Sequence, residues 1–331
     1  MDNIEEKSPF SGICQVGVMV GDIDMAVEYY QSLGIRPFHI LNPGTKERIM
    51  FGKLTNDVRP KVMTAQLGQV QLKLVEPAEW VSLWKEALDT RGEGIHHIAF
   101  KVDDINEETA KLVEKGLKII AEGRFLDGGG YTYFDTAGVG GVVFELIQWP
   151  LEESQLIAGF YGLEMISEDR RKQKNGKEGT VIEKSPFSRV DQVGIVVRDL
   201  EKAIEYYESL GIGPFEPMGD LVYTERQVLG KPIDFDSIKL NIRFAKIGPV
   251  EIELIQPVKG EFLWKEFLET RGEGIIHLGF YVDDIDKEEA KLVKEGLTVL
   301  YRSRFQNGGA AIFDTDKVGG VVLELIQWPR E

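Results

Sequence analysis

Four residues in the C-terminal half of the chain are of the types that hold a cation. They are Gln192 in Asp-Gln-Val-Gly-Ile-Val-Val, Glu253 in Val-Glu-Ile-Glu-Leu-Ile-Gln-Pro, His277 in Gly-Ile-Ile-His-Leu-Gly-Phe-Tyr and Glu324 in Val-Val-Leu-Glu-Leu-Ile-Gln-Trp. Each alternates with bulky apolar neighbours, so on a strand it faces away from the side that those neighbours bury. A curled sheet would make the four converge. One imidazole, two carboxylates and an amide oxygen leave two positions of an octahedral site open, which suits one divalent ion, Ni, Co, Mn, Fe or Zn. On spacing alone the alternative is a hydrogen-bonded polar cluster inside a barrel. The N-terminal half offers Gln15, Lys73, His97 and Glu145 at the matching places. A protonated lysine cannot ligate, and burying it unpaired costs several kcal/mol. Lys73 is therefore expected to take the cation's place and pair with Glu145, leaving a degenerate, metal-free site.

The elements that must position these residues are written twice. Arg91-Gly-Glu-Gly-Ile-His-His-Ile-Ala-Phe-Lys-Val-Asp-Asp returns as Arg271-Gly-Glu-Gly-Ile-Ile-His-Leu-Gly-Phe-Tyr-Val-Asp-Asp, each turning on glycines and then entering a strand. Alternation puts Ile276, Leu278, Phe280 and Val282 on one face, with His277 beside the small Gly279 on the other. His97 stands next to Ala99 in the same way. Gln15-Val-Gly-Val-Met-Val returns as Gln192-Val-Gly-Ile-Val-Val, and Val142 to Pro150 returns as Val321 to Pro329. Such self-similarity means two fused homologous domains, read as residues 8–150 and 185–331, with a charged, apolar-poor linker over 151–184 whose start, Leu151 to Leu163, has helical character. Within the first domain, strands are predicted at 13–20, 37–41, 48–53, 62–75, 96–102, 118–125, 131–135 and 142–148, with helices at 22–33 and 105–115 closed by Gly34 and Gly116. Each domain is thus two βαβββ units, an α+β fold whose curved, mostly antiparallel sheet packs helices on one face and lines a cavity with the other.

Composition excludes several classes of function. The 331 residues carry a net charge of -16 with acidic groups spread along the chain, so no basic footprint for nucleic acid or anionic membrane exists. No apolar run approaches the roughly 20 residues of a membrane span, and the acidic start does not suit a signal peptide. A cytoplasmic protein is expected, with room for a homodimer. The one cysteine, Cys14, cannot form an internal disulfide and reads as a small buried hydrophobe. Trp84, Trp149, Trp264 and Trp328 recur in pairs and read as core or interface aromatics rather than pocket lining.

The paired βαβββ units, the opening Gln-Val-Gly, the Glu-Leu-Ile-Gln-Pro strand, the Gly-Glu-Gly-Ile-His-His-Ile-Ala-Phe segment and the closing Gly-Gly-Val-Val-Phe-Glu-Leu-Ile-Gln resemble the vicinal oxygen chelate (glyoxalase) superfamily over both domains. Arg271 to Asp284 and Gly319 to Gln327 most resemble methylmalonyl-CoA epimerase-like members. The ligand order Gln, Glu, His, Glu is similar to glyoxalase I, but Asp314-Thr-Asp-Lys-Val-Gly-Gly stands where that enzyme has Asp-Pro-Asp-Gly-Tyr, which counts against a glutathione-linked substrate. The resemblance implies a small-molecule substrate with adjacent oxygens or an acyl carbonyl. It also implies a divalent ion acting as Lewis acid while a carboxylate moves a proton at the neighbouring carbon, as in an epimerase, isomerase or lyase. Glu324 is the expected base and Glu253 the alternate; Glu225, near a second acid of epimerases, reads first as a surface carboxylate. A non-catalytic small-molecule binder is the alternative. An extradiol ring-cleaving dioxygenase is a third reading, disfavoured because Gln192 occupies the place of a histidine. The superfamily also allows a site shared between domains, Gln192 and Glu253 with His97 and Glu145; the self-contained arrangement is expected here.

Overall fold

The computed structural model describes residues 8–41, 44–55, 60–78, 82–126, 128–150, 185–219 and 221–329. The expected linker lies outside the described residues. The first domain runs β1 (Ile13–Met19), α1 (Ile23–Ser32), β2 (Phe38–Ile40), β3 (Thr45–Met50), β4 (Lys53–Leu54), β5 (Lys61–Leu67), β6 (Val70–Glu76), α2 (Leu83–Arg91), β7 (Gly94–Lys101), α3 (Ile105–Glu114), β8 (Ile119–Phe125), β9 (Gly130–Phe134) and β10 (Val143–Gln148). The second repeats this order: β11 (Gln192–Val196), α4 (Leu200–Ser209), β12 (Glu216–Pro217), β13 (Tyr223–Val228), β14 (Lys231–Pro232), β15 (Lys239–Ile247), β16 (Val250–Lys259), α5 (Leu263–Thr270), β17 (Gly274–Tyr281), α6 (Ile285–Lys294), β18 (Val299–Phe305), β19 (Gly308–Phe313) and β20 (Val322–Gln327).

Each main helix start is fixed locally. Asp22, Asp104, Asp199 and Asp284 are N-caps whose carboxylates accept backbone N–H groups of the first turn. The sequence reading differs in three places, the first being 48–53, which is not one strand but the turn joining β3 to β4 through Phe51 and Gly52 at φ 48° and 72°. The run 62–75 is a hairpin, because Gly68 turns the chain with φ 66° between β5 and β6. The short helices α2 and α5 are additional elements before the repeated Arg-Gly-Glu-Gly turn, burying Leu83 and Trp84 in one copy and Trp264 and Leu268 in the other.

Strands in the first domain are ordered β4-β3-β8-β9-β10-β7-β1-β6-β5-β2, and in the second β14-β13-β18-β19-β20-β17-β11-β16-β15-β12. The two halves of each sheet meet at its centre, β1 on β7 and β11 on β17. Because β2 lies at one edge and β3 one strand in from the other, yet only four positions separate them in the chain, about five Cα steps of roughly 3.4 Å each must span the gap. The sheet is therefore curled. One apolar cluster, including Val16, Tyr30, Phe144, Tyr207, Leu278 and Leu325, runs through both domains, while a smaller cluster lies in each domain separately.

The domains are joined reciprocally. Glu93 accepts from Gly21 N and Gly319 N, each at 2.7 Å, and Glu273 accepts from Arg198 N at 2.7 Å and Gly140 N at 2.8 Å. Arg271 donates across the joint to Glu93 O at 2.5 Å, while Arg91 donates within its own domain to Gly141 O at 2.9 Å, beside the Gly140 N–H that Glu273 holds. Tyr29 and Tyr206 reach the backbone carbonyls of Thr315 and Thr136 in the opposite domain. The Arg-Gly-Glu-Gly motif is thus an interdomain latch. Charge-assisted hydrogen bonds contribute about 1.5–3 kcal/mol each when fully formed, less where water competes. Glu93→Ala should lower the denaturant midpoint by an amount equivalent to about 1–3 kcal/mol, with the cavity of the second domain unchanged; an unaltered midpoint would remove the latch from the account.

Candidate metal centre and ligand cavity

Gln192, Glu253, His277 and Glu324 lie on the four adjacent strands β11, β16, β17 and β20. Register explains how four bulky polar side chains share so small an area. Gly194 is the partner of both His277 and Glu253, and Gly279 is the partner of both Gln192 and Glu324. A Cβ on Gly194 would lie 2.0 Å from the His277 ring, and one on Gly279 would lie 2.9 Å from Cβ of Gln192. The room for the histidine therefore comes from Gly194 across the ladder, whereas the adjacent Gly279 clears space for Gln192. A bulge after His277's pairing places Ile275 in the large shared core and Ile276 in the small cluster with Trp264 and Tyr301. Ile276 therefore does not share the packing of Leu278, as plain alternation predicts.

His277 Nε2 is 3.1 Å from Glu253 Oε2, 3.1 Å from Glu324 Oε2 and 3.3 Å from Gln192 Oε1. Gln192 is oriented from behind, donating through Nε2 to Glu251 at 3.1 Å, and Tyr281 OH donates to the same carboxylate at 2.9 Å. His277 is 2% exposed, and Glu253 and Glu324 8% each. An imidazole nitrogen has at most one proton to give, so three acceptor oxygens around it are an excess of negative character, and the donor atoms of Glu253, His277 and Glu324 all lie within 4.8 Å of one another. That donor set fits a divalent cation. Burial pushes the Glu324 carboxyl up to about 7; His277 opposes this and Glu253 reinforces it. Burial alone would lower His277, but Glu324 and Glu253 turn its pKa upward.

The four residues form the inner end of a cavity of about 450 Å³. Its walls include Ile238, Trp264, Tyr301, Phe305 and Trp328, and Tyr223 and Arg226 of β13 reach into it. Trp264 and Trp328 therefore line the pocket, against the expectation for the tryptophans; Trp264 is also core, and Trp328 stacks on Phe305 with centroids 6.2 Å apart. Glu225 is outside this cavity, held by Gln227 at 2.5 Å and 3.8 Å from Arg302, since a bulge between Tyr223 and Glu225 changes which β13 side chains point inward. The repeated Glu-Arg pair, residues 47–48 and 225–226, was the available signal; the arginine, not the acid, faces the second cavity.

The first domain brings Gln15, Lys73, His97 and Glu145 together in the same register, with Gly17 opposite His97 and Lys73. Lys73 Nζ is 3.3 Å from Glu145 and 3.1 Å from Tyr133 OH, and His97 Nε2 is 3.2 Å from Glu145. Burial raises Glu145, but Lys73 and His97 outweigh it and hold the carboxyl below its ordinary range; burial and then Lys73 lower His97. The cavity here is only about 70 Å³. Tyr131 and Tyr133 occupy the register positions of Ala310 and Ile312, and their rings fill what the second domain leaves open. Trp84 and Trp149 line the remnant. Burial pushes the Cys14 thiol up to about 12, and Sγ donates to Ala99 O at 3.4 Å, the behaviour of an inert buried side chain.

Repeated βαβββ units curled around a buried Glu-His-Glu cluster define a tandem vicinal oxygen chelate protein. The chain belongs to the Glyoxalase/Bleomycin resistance protein/Dioxygenase superfamily, whose model matches residues 14–134 and 191–313. It is 25% identical over 146 residues to the uncharacterized protein YqjC of Bacillus subtilis (strain 168), covering 43% of this chain and 93% of that protein. Its fold is similar to a mutant 4-hydroxymandelate synthase from Streptomyces coelicolor at TM-score 0.58 and 17% identity, over 97% of this chain and 94% of that one. It also matches methylmalonyl-CoA epimerase from Mycobacterium tuberculosis at TM-score 0.35 and 24% identity, over 47% of this chain and 97% of the epimerase. No helix among the described residues is long and apolar enough to cross a membrane.

Proposed function

We propose that the second domain, residues 185–331, is a divalent-metal-dependent enzyme that moves a proton on the carbon next to a carbonyl, in the manner of an epimerase, isomerase or lyase, and that the first, residues 8–150, is its structural partner. The observation that carries this reading is two carboxylates and an amide oxygen gathered within 3.3 Å of one imidazole nitrogen at the inner end of a ligand-sized cavity. Gln192, Glu253, His277 and Glu324 would hold the ion, which when bound supplies Lewis-acid stabilisation of negative charge on a substrate oxygen. One histidine with two carboxylates departs from the two-histidine, one-carboxylate set typical of non-heme iron oxygenases, which disfavours the ring-cleaving reading.

Glu324 would act as base. Burial pushes its carboxyl up to about 7 in the absence of an ion, which makes it a stronger proton acceptor than an exposed carboxylate. Glu253, at the same 3.1 Å from His277, is the alternate. Ile238 and Phe305 would exclude water from the reacting carbon. The test is elemental analysis of protein purified without chelator, combined with NMR of deuterium exchange from solvent into a panel of small oxo acids. Stoichiometric metal with exchange supports the proposal. Ligand binding without any exchange would make the domain a binder, and redox-active iron with catechol turnover would make it a dioxygenase.

A further inference from the structure

Arg226 enters the second cavity as a charge without a counterion. Its Nε donates to Tyr301 OH at 2.8 Å and its Nη1 to Phe235 O at 2.7 Å and Ile238 O at 3.0 Å, all neutral acceptors. Among the described residues no carboxylate pairs with it, and Nη2 has no hydrogen-bond partner. The guanidinium is instead fixed against rings, 4.8 Å from the Tyr223 centroid and 5.8 Å from that of Tyr301. In the same wall Trp264, 5% exposed, has an indole N–H that is buried and finds no acceptor. A buried donor left unpaired costs free energy unless something else accepts from it. The cavity thus carries acceptors at Glu253 and Glu324 and donors at Arg226 and Trp264, which share Tyr301 as a neighbour, with apolar surface from Ile238 and Phe305.

We infer that the ligand of this cavity is a small free carboxylic acid with a carbonyl elsewhere in its skeleton, its carboxylate received by Arg226 and Trp264 while the carbonyl end faces the Glu-His-Glu cluster. The assignment of the carbonyl end rests on the function proposed above; the carboxylate end does not. Size supports the class, since about 450 Å³ is toward the small end of ligand pockets. Charge supports it too. One guanidinium and one indole N–H match a carboxylate, while a phosphate-rich carrier would call for more cations than Arg226 and the exposed Lys239 at the wall. Arg226 is on this reading a specificity residue.

The test is calorimetric titration of the full chain, metal-loaded and metal-stripped, with 4-oxopentanoate and 4-oxo-4-phenylbutanoate, each against its methyl ester. The expected result is that the acids bind more tightly than the esters, and that Arg226→Gln weakens the acids about 10- to 100-fold while leaving the esters within about twofold. Arg226→Lys should restore part of the preference and Trp264→Phe should remove part of it. Because Arg226 also ties Phe235 and Ile238, unchanged thermal unfolding and metal content in Arg226→Gln are the control for folding, and Arg226→Lys carries the test if that control fails. Equal losses for acid and ester, or no binding by any acid of the set, overturn the inference. An Arg226-dependent acid preference that persists in a protein unable to hold metal sinks the metal reading alone, whereas metal binding with no acid preference sinks this inference alone.

Discussion

His277→Ala should strip the folded protein of its divalent ion, whereas His97→Ala should leave the ion in place. His277 Nε2 stands within 3.3 Å of all three other candidate ligands, and its removal leaves two buried carboxylates facing each other across a gap. Outer-sphere partners of metal ligands typically cost about 10- to 100-fold in affinity when mutated, so loss of a ligand should exceed about 100-fold. His97 has a different task. It and Lys73 both face Glu145, so the first site already contains a cation. Its substitution should lower stability without touching metal stoichiometry. Elemental analysis of the two variants, with circular dichroism to verify folding, decides the matter. Metal lost from His97→Ala and kept by His277→Ala would mean that the ligand set is wrong.

Glu324→Gln should keep the fold and lose about 100- to 10,000-fold in proton-exchange rate, since an amide can approach the same partners but cannot accept a proton. Exchange retained at the parental rate would pass the role to Glu253. The same variant should alter a pH profile. In the metal-free protein the Glu324 carboxyl titrates near 7 rather than at its ordinary 4.5, because burial disfavours the charged form. A carboxyl with a raised folded-state pKa binds protons more readily folded than unfolded, so it destabilises the fold increasingly from about pH 4.5 to about 7. His277, also raised, stabilises the fold below its unfolded value and loses that contribution as pH rises through its folded value. Both effects have the same sign. Metal-free protein should lose thermal stability from about pH 5 to about pH 8, and saturating divalent ion should reverse the loss because binding requires the deprotonated ligands. Glu324→Gln should flatten the metal-free profile; a slope equal to that of the parent would separate the titration from this residue.

The candidate cluster was legible because it is written in strand alternation. Gln192, Glu253, His277 and Glu324 each interrupt an apolar period, and the duplicated chain provides a second copy in which Lys73 marks a difference. What escaped was what alternation does not encode. Gly194 lies opposite His277 only through the β11–β17 register, so its clearance of the ring is a long-range fact. The bulge at Ile276 and the one between Tyr223 and Glu225 shift the period by one residue, which moved Ile276 and exchanged Glu225 for Arg226 at the cavity wall. Helices α2 and α5 are short, and each has only two buried apolar residues, too few for a clear helical stripe. The Arg-Gly-Glu-Gly turn was prominent in the sequence, but its role in joining the domains depends on backbone groups more than a hundred positions away.

That reciprocal latch has an implication for how the two cavities came to differ. In a homodimer held by an equivalent contact, both subunits carry the same residues, so a lysine in the ligand set or tyrosines filling one cavity would disable every copy at once. Covalent fusion lifts the constraint. The joint can remain nearly twofold while Lys73, Tyr131 and Tyr133 close one side and Ala310 and Ile312 leave the other open. A closed half can then be selected for rigidity, free of any need to admit a ligand, and asymmetry becomes heritable in a single chain.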